Sequence, residues 1–417
     1  MGLLVLAVFV VLFALIAKRL STTMITAPMT FIAFGVLLSQ TGLLSGEQAH
    51  HSLHLVAEVT LILLLFLDAA QIDFAALRNK HIWPMRMLAI GLPLCIVFGA
   101  LVAAPFLPGW PLVAVVLVAA ILAPTDAALG QAVVTNSAVP ERSRRALTVE
   151  SGLNDGLALP IVLLFASLAA RPSGYADTDW FTFGAKQLLL GPLVGAVCGW
   201  LGGHLLIRAS DRGWTSEVFE GIGAMALAAT AYLSATQVGG NGFLAAFVAG
   251  LFFGRVVKGR CMFIFEFMES EGQLLTWAAF FLLGLALVPD AVAHLSWSVL
   301  AIIALSLFVV RPLAIWISLL GTDASPASRL FFGWFGPRGL ATALFALLVV
   351  PTVSAQFAEP VLYIAVNAVW ISALLHGLSA APGARLYAAR IAAMGTCAET
   401  TVEQTKAALA NQSAGDR

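Results

Sequence analysis

Charge is what this sequence has least of. Asp, Glu, Lys and Arg make up 11% of the 417 residues, against 60% apolar ones, where a soluble domain carries roughly a quarter of its residues charged. That scarcity excludes an ordinary soluble fold. Cysteine is scarce as well. Cys95, Cys198, Cys261 and Cys397 stand far apart with no CxxC pair, which argues against a disulfide framework or a thiolate zinc site. No basic tract is present that would suit nucleic acid. HExxH, Gly-x-Ser-x-Gly and GxGD segments are all missing, so nothing points to a zinc protease, a serine hydrolase or an intramembrane aspartyl protease.

What fills the chain instead is apolar runs of about 17–25 residues, the length that crosses some 30 Å of hydrocarbon as helix. Thirteen spans are expected, near 2–17, 25–43, 53–70, 84–106, 110–134, 146–169, 185–207, 217–236, 239–255, 270–288, 294–320, 329–350 and 360–380. Lys18 and Arg19 follow the first run and no basic residue precedes it, which favours a retained span with its N-terminus outside over a cleaved signal peptide. With that orientation, eighteen of the 22 Lys and Arg residues fall in inside segments. Two, Arg171 and Lys186, fall outside, and the remaining two, Arg311 and Arg338, fall within spans. A miscounted span would scramble this split, so the positive-inside rule supports the count. The expectation is a polytopic all-α protein with a transmembrane domain over 1–380 and a short cytoplasmic tail over 381–417.

Six charges lie deep in spans: Asp68, Asp126, Glu150, Asp155, Arg311 and Arg338. A carboxylate at the bilayer centre costs about 2.5–3.5 kcal/mol even on lenient insertion scales, so such groups are functional candidates by default. Two spans also break where backbone matters, at Ala123-Pro124-Thr125-Asp126 in span 5 and at Gly336-Pro337-Arg338-Gly339 in span 12. Broken helices in corresponding spans of two halves point to a transporter's substrate site. The breaks are an odd number of spans apart, so spans 4–6 and 11–13 form an inverted pair with two crossing discontinuous helices.

In TVESGLNDGLALPIVLLF, Glu150 and Asn154 share one helical stripe and Ser151 and Asp155 the next. Depth makes a Glu150–Arg311 pair plausible, while Arg338 is placed to offset the negative end of the first half-helix of span 12. That leaves Asp155, with Ser151 and the freed carbonyls near Thr125, as the leading cation ligand, and Asp126 and Asp68 as second-rank candidates. Every group in the set supplies oxygen, which suits a hard monovalent cation. The rival readings are an aspartyl dyad of Asp126 and Asp155, and a cation channel. Weaker signals are read as structural: a Gly191, Gly195, Gly199, Gly203 stripe for close packing, solvated His50, His51 and His54, and surface charge at Glu217, Glu220, Glu269 and Glu271.

APTDAALG (Ala123–Gly130) followed by VESGLNDGLALPIV (Val149–Val162) resembles the paired motif of the monovalent cation:proton antiporter superfamily, in its NhaP-type sodium/proton branch. The likeness continues through LLLFLDAAQIDFAALR, GGNGFLAAFVAGLFFG, VVRPLAIWISLLG and GWFGPRGLATALFALL, to span 13. The resemblance implies a homodimer in which a core bundle (spans 4–6 and 11–13) moves against a dimer domain, with Na+ (or Li+ or K+) and H+ competing for one site. It implies no enzyme activity, no cofactor beyond the transported ions, no nucleic-acid partner, and residence among the lipids of a cell membrane, a bacterial inner membrane. Carried over by residue, the ion-binding aspartate matches Asp155 and its asparagine partner Asn154. The glutamate–arginine pair matches Glu150 and Arg311, and the unwound Thr-Asp matches Thr125 and Asp126. An acid of span 3 matches Asp68. The cation's own ligands would be Asp155, Ser151 and Thr125. Ala127 stands where many relatives have proline, and aspartate stands at 68 where glutamate is commoner. Both differences bear on ion preference.

Overall fold

The computed structural model describes residues 1–20, 23–44, 46–72, 82–170, 178–257, 260, 262–395 and 397–400. Arg78, Lys80, Arg171, Lys258, Lys406 and Arg417, and with them 401–417 of the expected tail, lie outside those residues. Among the described residues the regular structure is all helical, without a strand. We label the helices by the spans they overlap: α1 (Gly2–Leu20), α2 (Ala27–Ser39), α3 (Gly46–Ala70), α4 (Ile82–Phe106), the half-helices α5a (Leu112–Ile121) and α5b (Ala127–Val134), and α6 (Glu141–Ala169). Then follow α7 (Thr178–Asp211), α8 (Glu217–Gln237), α9 (Gly242–Val257), α10 (Met262–Ala286) and α11 (Trp297–Ser318). The half-helices α12a (Pro326–Trp334) and α12b (Leu340–Val349) and the long α13 (Ala355–Ala393) complete the chain. Each expected span overlaps one of these rods, and among the described residues eight helices are both long and apolar enough to cross a membrane.

Packing separates two groups. Helices α2, α3, α7, α8, α9 and α10 lie against one another, while α4, α5, α6, α11, α12 and α13 form a second bundle. The glycine stripe of α7 is what lets the first group close. A Cβ on Gly195 or Gly199 would run into the backbone carbonyl of Ala245 or Ala249 on α9, the close approach that small residues permit in membranes. Gly250 and Gly254 on α9 meet the α3 backbone at Phe66 and Ala70 in the same way. Glu220, expected as surface charge, is instead only 6% exposed. It sits in the first turn of α8, where the helix's positive end favours an acid.

The second bundle carries an internal symmetry in its backbone. Helix α4 contains a π-helical turn at Met87–Gly91 just before Pro93, and α11 contains one at Ser306–Val310 just before Pro312. A proline lacks the N–H of an i→i−4 bond, and the wide turn absorbs the mismatch. The next rods, α5 and α12, are both broken, between Ile121 and Ala127 and between Trp334 and Leu340. Helices four and eleven, and five and twelve, therefore share local geometry at the inverted-repeat spacing.

Candidate functional site

The two breaks meet. Asp126 N–H donates to the Pro337 carbonyl at 2.9 Å, joining one unwound segment directly to the other. Each break then caps the half-helix of its counterpart. Arg338 Nη1 donates to the carbonyls of Ala123 (2.8 Å) and Pro124 (3.3 Å), at the end of α5a. Asp126 Oδ2 accepts from Leu340 N–H at 2.7 Å, at the start of α12b. A cation at a helix C-terminus and an anion at an N-terminus both oppose the helix dipole favourably. The sequence reading had Arg338 offsetting the negative end of α12a, its own span's first half. The guanidinium reaches across to α5a instead, because the crossing presents the α5a carbonyls to it. The glycines of GPRG permit this approach: a Cβ at Gly336 would strike the Arg311 guanidinium, and one at Gly339 the Asp126 side chain.

The end of α12a is held by other groups. Arg311 Nη2 donates to Phe332 O at 3.3 Å, and His376 Nε2 lies 2.8 Å from Trp334 O. His376 was missed from the sequence, where a single histidine in an apolar run carries no signal. Only its contact with a half-helix end gives it meaning.

Beside the crossing, α6 supplies a buried polar cluster. Arg311 and Glu150 form a two-toothed pair, Nη1–Oε1 3.1 Å and Nη2–Oε2 3.0 Å, with side chains 2% and 4% exposed. Thr125, at the α5 break, accepts from Asn154 Nδ2 at 2.6 Å and stands 3.1 Å from Ser151 Oγ and 3.4 Å from Glu150 Oε2. Asn154 also reaches back to Glu150 Oε1 at 3.5 Å, as residues on one stripe should. The structure thus brings Thr125, Glu150, Ser151, Asn154 and Arg311 into one network. Asp155 points from the neighbouring stripe and stays out of it: its Oδ1 is buried without a hydrogen-bond partner, as is Asn154 Oδ1. Asp68, Asp126 and Glu150 all lie within electrostatic range of the Asp155 carboxyl. Asp68 comes near because α3 crosses α6 at Gly152, where a Cβ would sit 3.8 Å from the Asp68 side chain. Asp155 therefore shares its electrostatic surroundings with three other acids, one of which, Glu150, is directly neutralised by Arg311.

Two cavities lie between the helix groups, one toward each end of the crossing. The larger, about 400 Å³, is lined by Lys18, Thr23 and Thr26 on one side, by Gln131 and Thr135 of α5b, and by Gln273 and Trp277 of α10. The smaller, about 170 Å³, is lined by His54 and Glu58 of α3, Tyr232, and Leu344 and Leu348 of α12b.

At the Arg142 end of α6 the bundle is fastened by a largely buried cluster. Arg142 pairs with Asp323 (Nη1–Oδ2 2.7 Å), stacks on the Trp83 ring at 3.8 Å and donates to Ala398 O at 2.9 Å. Glu399 accepts from Ser325 N–H (3.0 Å) and Ser328 Oγ (2.6 Å) at the start of α12a, while Tyr387 OH bridges Ser143 and Ser328. Burial alone would push the Asp323 and Glu399 carboxyls up. The bonds from Arg142 and Trp83 to Asp323, and from Ser328 and Ser325 to Glu399, outweigh it and hold both below the ordinary carboxylate range.

The chain is similar to several known proteins. Residues 4–385 match the model of the family described as sodium/hydrogen exchanger, transmembrane. A K(+)/H(+) antiporter NhaP of Alkalimonas amylolytica is 28% identical over 318 residues, covering 73% of this chain and 54% of that protein. A K(+)/H(+) antiporter NhaP2 of Shewanella sp. (strain ANA-3) is 28% identical over 391 residues, covering 91% of this chain and 65% of that protein. The chain thus spans between half and two thirds of the length of these curated relatives. In fold it is similar to the sodium proton antiporter MjNhaP1 of Methanocaldococcus jannaschii, with a TM-score of 0.73 at 19% identity, covering 93% of this chain and 100% of that one. With a family model matched from the first helix well into the last, the chain belongs to the sodium/hydrogen exchanger transmembrane family.

Proposed function

We propose that this chain exchanges a monovalent cation for a proton across a membrane, with both ions competing for Asp155. The observation that supports this most is the partnerless, buried Asp155 Oδ1 beside the hydrogen-bonded polar network at the helix crossing. A buried polar atom with no protein partner costs free energy unless something else meets it, and a transported cation or proton does so in turn. Asp155, Ser151 and Thr125 supply the ligands; Asn154 orients Thr125; Asp126 and Asp68 complete the acidic surroundings. Glu150 and Arg311 hold the network, and Arg338 holds the crossing. One carboxylate trades one proton for one cation, so exchange is electroneutral. The two cavities, on opposite sides of the crossing, provide the alternate routes to the site.

Sodium is the first reading of the transported cation, with lithium as its analogue. Potassium is the second, favoured by the names of the curated relatives. The chain works as a transporter and not as an enzyme, as a homodimer in a lipid bilayer, a bacterial inner membrane, with thirteen crossings, the N-terminus outside and the C-terminus in the cytoplasm. Exposed apolar faces on α1 and α7, among them Leu3, Leu15, Leu189 and Leu193, suit lipid or a second copy. Proteoliposomes carrying a proton gradient, challenged in turn with Na+, Li+ and K+, test the proposal. Collapse of the gradient on addition of one of these cations supports antiport. A gradient that survives all three rejects it, and current without proton movement would mark a channel.

A further inference from the structure

We propose that His376 is a positioning residue for the ion site: with Ser372 it fastens both sides of the span-12 break to α13, and through Arg338 it sets the place of Thr125 and Asp126. The proposal rests on the antiport reading for its functional consequence, but not for its geometry.

His376 is 2% exposed and stands one helical turn after Ser372, itself fully buried, on α13. Its Nε2 faces the Trp334 carbonyl at 2.8 Å, a group that can only accept, whereas Nδ1 faces both the Ser372 carbonyl at 2.9 Å and a hydroxyl that can donate, so the tautomer with the proton on Nε2 is the one that gives both nitrogens a partner. On the other side of the ring, Nδ1 lies 3.1 Å from Ser372 Oγ. That hydroxyl already accepts the Arg338 backbone N–H at 2.7 Å, which frees its own proton to point at Nδ1. A single chain of bonds results. Arg338 N–H donates to Ser372, Ser372 O–H donates to His376, and His376 N–H donates to Trp334.

Trp334 and Arg338 flank the unwound Phe335-Gly336-Pro337 segment, so the chain of bonds spans the break and ties each lip to one rigid helix. The indole of Trp334 adds a second fastening: its ring stacks on the imidazole (centroids 4.9 Å apart, 22° between planes) and its Nε1 donates to Ser379 Oγ at 2.9 Å. Beyond the break, the Arg338 guanidinium holds the Ala123 and Pro124 carbonyls, and Pro337 O accepts Asp126 N–H. Releasing the Arg338 backbone therefore displaces the two residues before Thr125 and the bond into Asp126. His376 touches no ion ligand itself and acts only through this route.

The test uses the full-length chain, purified and reconstituted, as His376→Phe, His376→Gln and Ser372→Ala. Phenylalanine keeps the ring volume and removes both polar ends; glutamine retains an N–H for Trp334 and an acceptor for Ser372. Hydrogen exchange across residues 335–340 should accelerate in His376→Phe and Ser372→Ala and stay near the parent in His376→Gln. In transport, the first two should raise the apparent KM for the cation by about fivefold or more, the scale of one lost buried hydrogen bond, with the maximal rate kept within about twofold. Glutamine should restore the KM. If His376→Phe does not fold, Ser372→Ala carries the same expectations. A lowered melting temperature with unchanged KM and unchanged exchange at 335–340 would make His376 a packing residue and overturn the proposal. So would a glutamine variant as impaired as phenylalanine. Failure of the antiport reading looks different: the parent protein would move no cation, while exchange at 335–340 would still report the fastening.

Discussion

Glu150 and Arg311 offer the sharpest test of how the polar network is held together. Both side chains are removed from water, at 4% and 2% exposure, and bond each other through both oxygens and both terminal nitrogens. Burying such a pair costs desolvation that the attraction roughly offsets, so the pair adds little net stability; breaking it is another matter, because one charge stays behind unpaired, at about 3–5 kcal/mol. In Glu150→Gln the stranded group is Arg311, its charge unmatched, with one amide oxygen and the Phe332 carbonyl left as accepting partners and its Nε already unbonded. In Arg311→Met the stranded group is Glu150, left with the long contacts to Thr125 and Asn154. Each single variant should therefore lose about 3–5 kcal/mol, and the double variant should lose less than the sum by about 1–3 kcal/mol. Unfolding in detergent, followed by helix signal and by retained dye-free monodispersity, gives all four corners of the cycle. Losses that add to within about 0.5 kcal/mol would refute direct coupling and with it the view of this pair as the network's anchor.

Four further outcomes are expected. Asp155→Asn should fold and abolish exchange, since the isostere leaves no cavity but removes the charge; robust transport by this variant, or a parent rate that tracks an imposed voltage, would defeat one-for-one exchange at Asp155. While that site titrates, apparent cation affinity should weaken by at most about tenfold per pH unit as pH falls, and a flat profile between pH 6 and 9 would speak against competition. The carboxyls of Glu399 and Asp323 are held low, so their contribution to folding is present above the unfolded value near 4 and is lost as pH falls through the still lower folded value; Glu399→Gln should remove the Glu399 part of that acid sensitivity, and an unchanged acid-unfolding curve would show that the cluster does not fasten α12a. For topology, a cysteine at Gln40 should react with an impermeant reagent from outside and one at Arg212 only after the membrane is opened; the reverse pattern would invert the proposed orientation.

Composition and periodicity determined much of this protein. Sixty per cent apolar residues and 11% charged ones, gathered in runs of about 17–25 residues, point to a bundle of hydrophobic helices, since backbone polar groups in lipid must be satisfied internally and runs of that length do so as helix. Proline and glycine at Pro124 and at Gly336-Pro337 marked the breaks, because their effect on a helix is local. The four-residue spacing of Glu150 and Asn154 placed both on one stripe for the same reason. Contacts between residues distant in the chain were another matter. That Arg338 caps α5a and not α12a, that Asp126 caps α12b, that Asp155 is left out of the bonded network and that His376 bridges a break all depend on how two half-helices cross. No local preference encodes that crossing: a guanidinium or an imidazole bonds whichever carbonyl the packed bundle sets within about 3 Å, and only the tertiary structure decides which one that is.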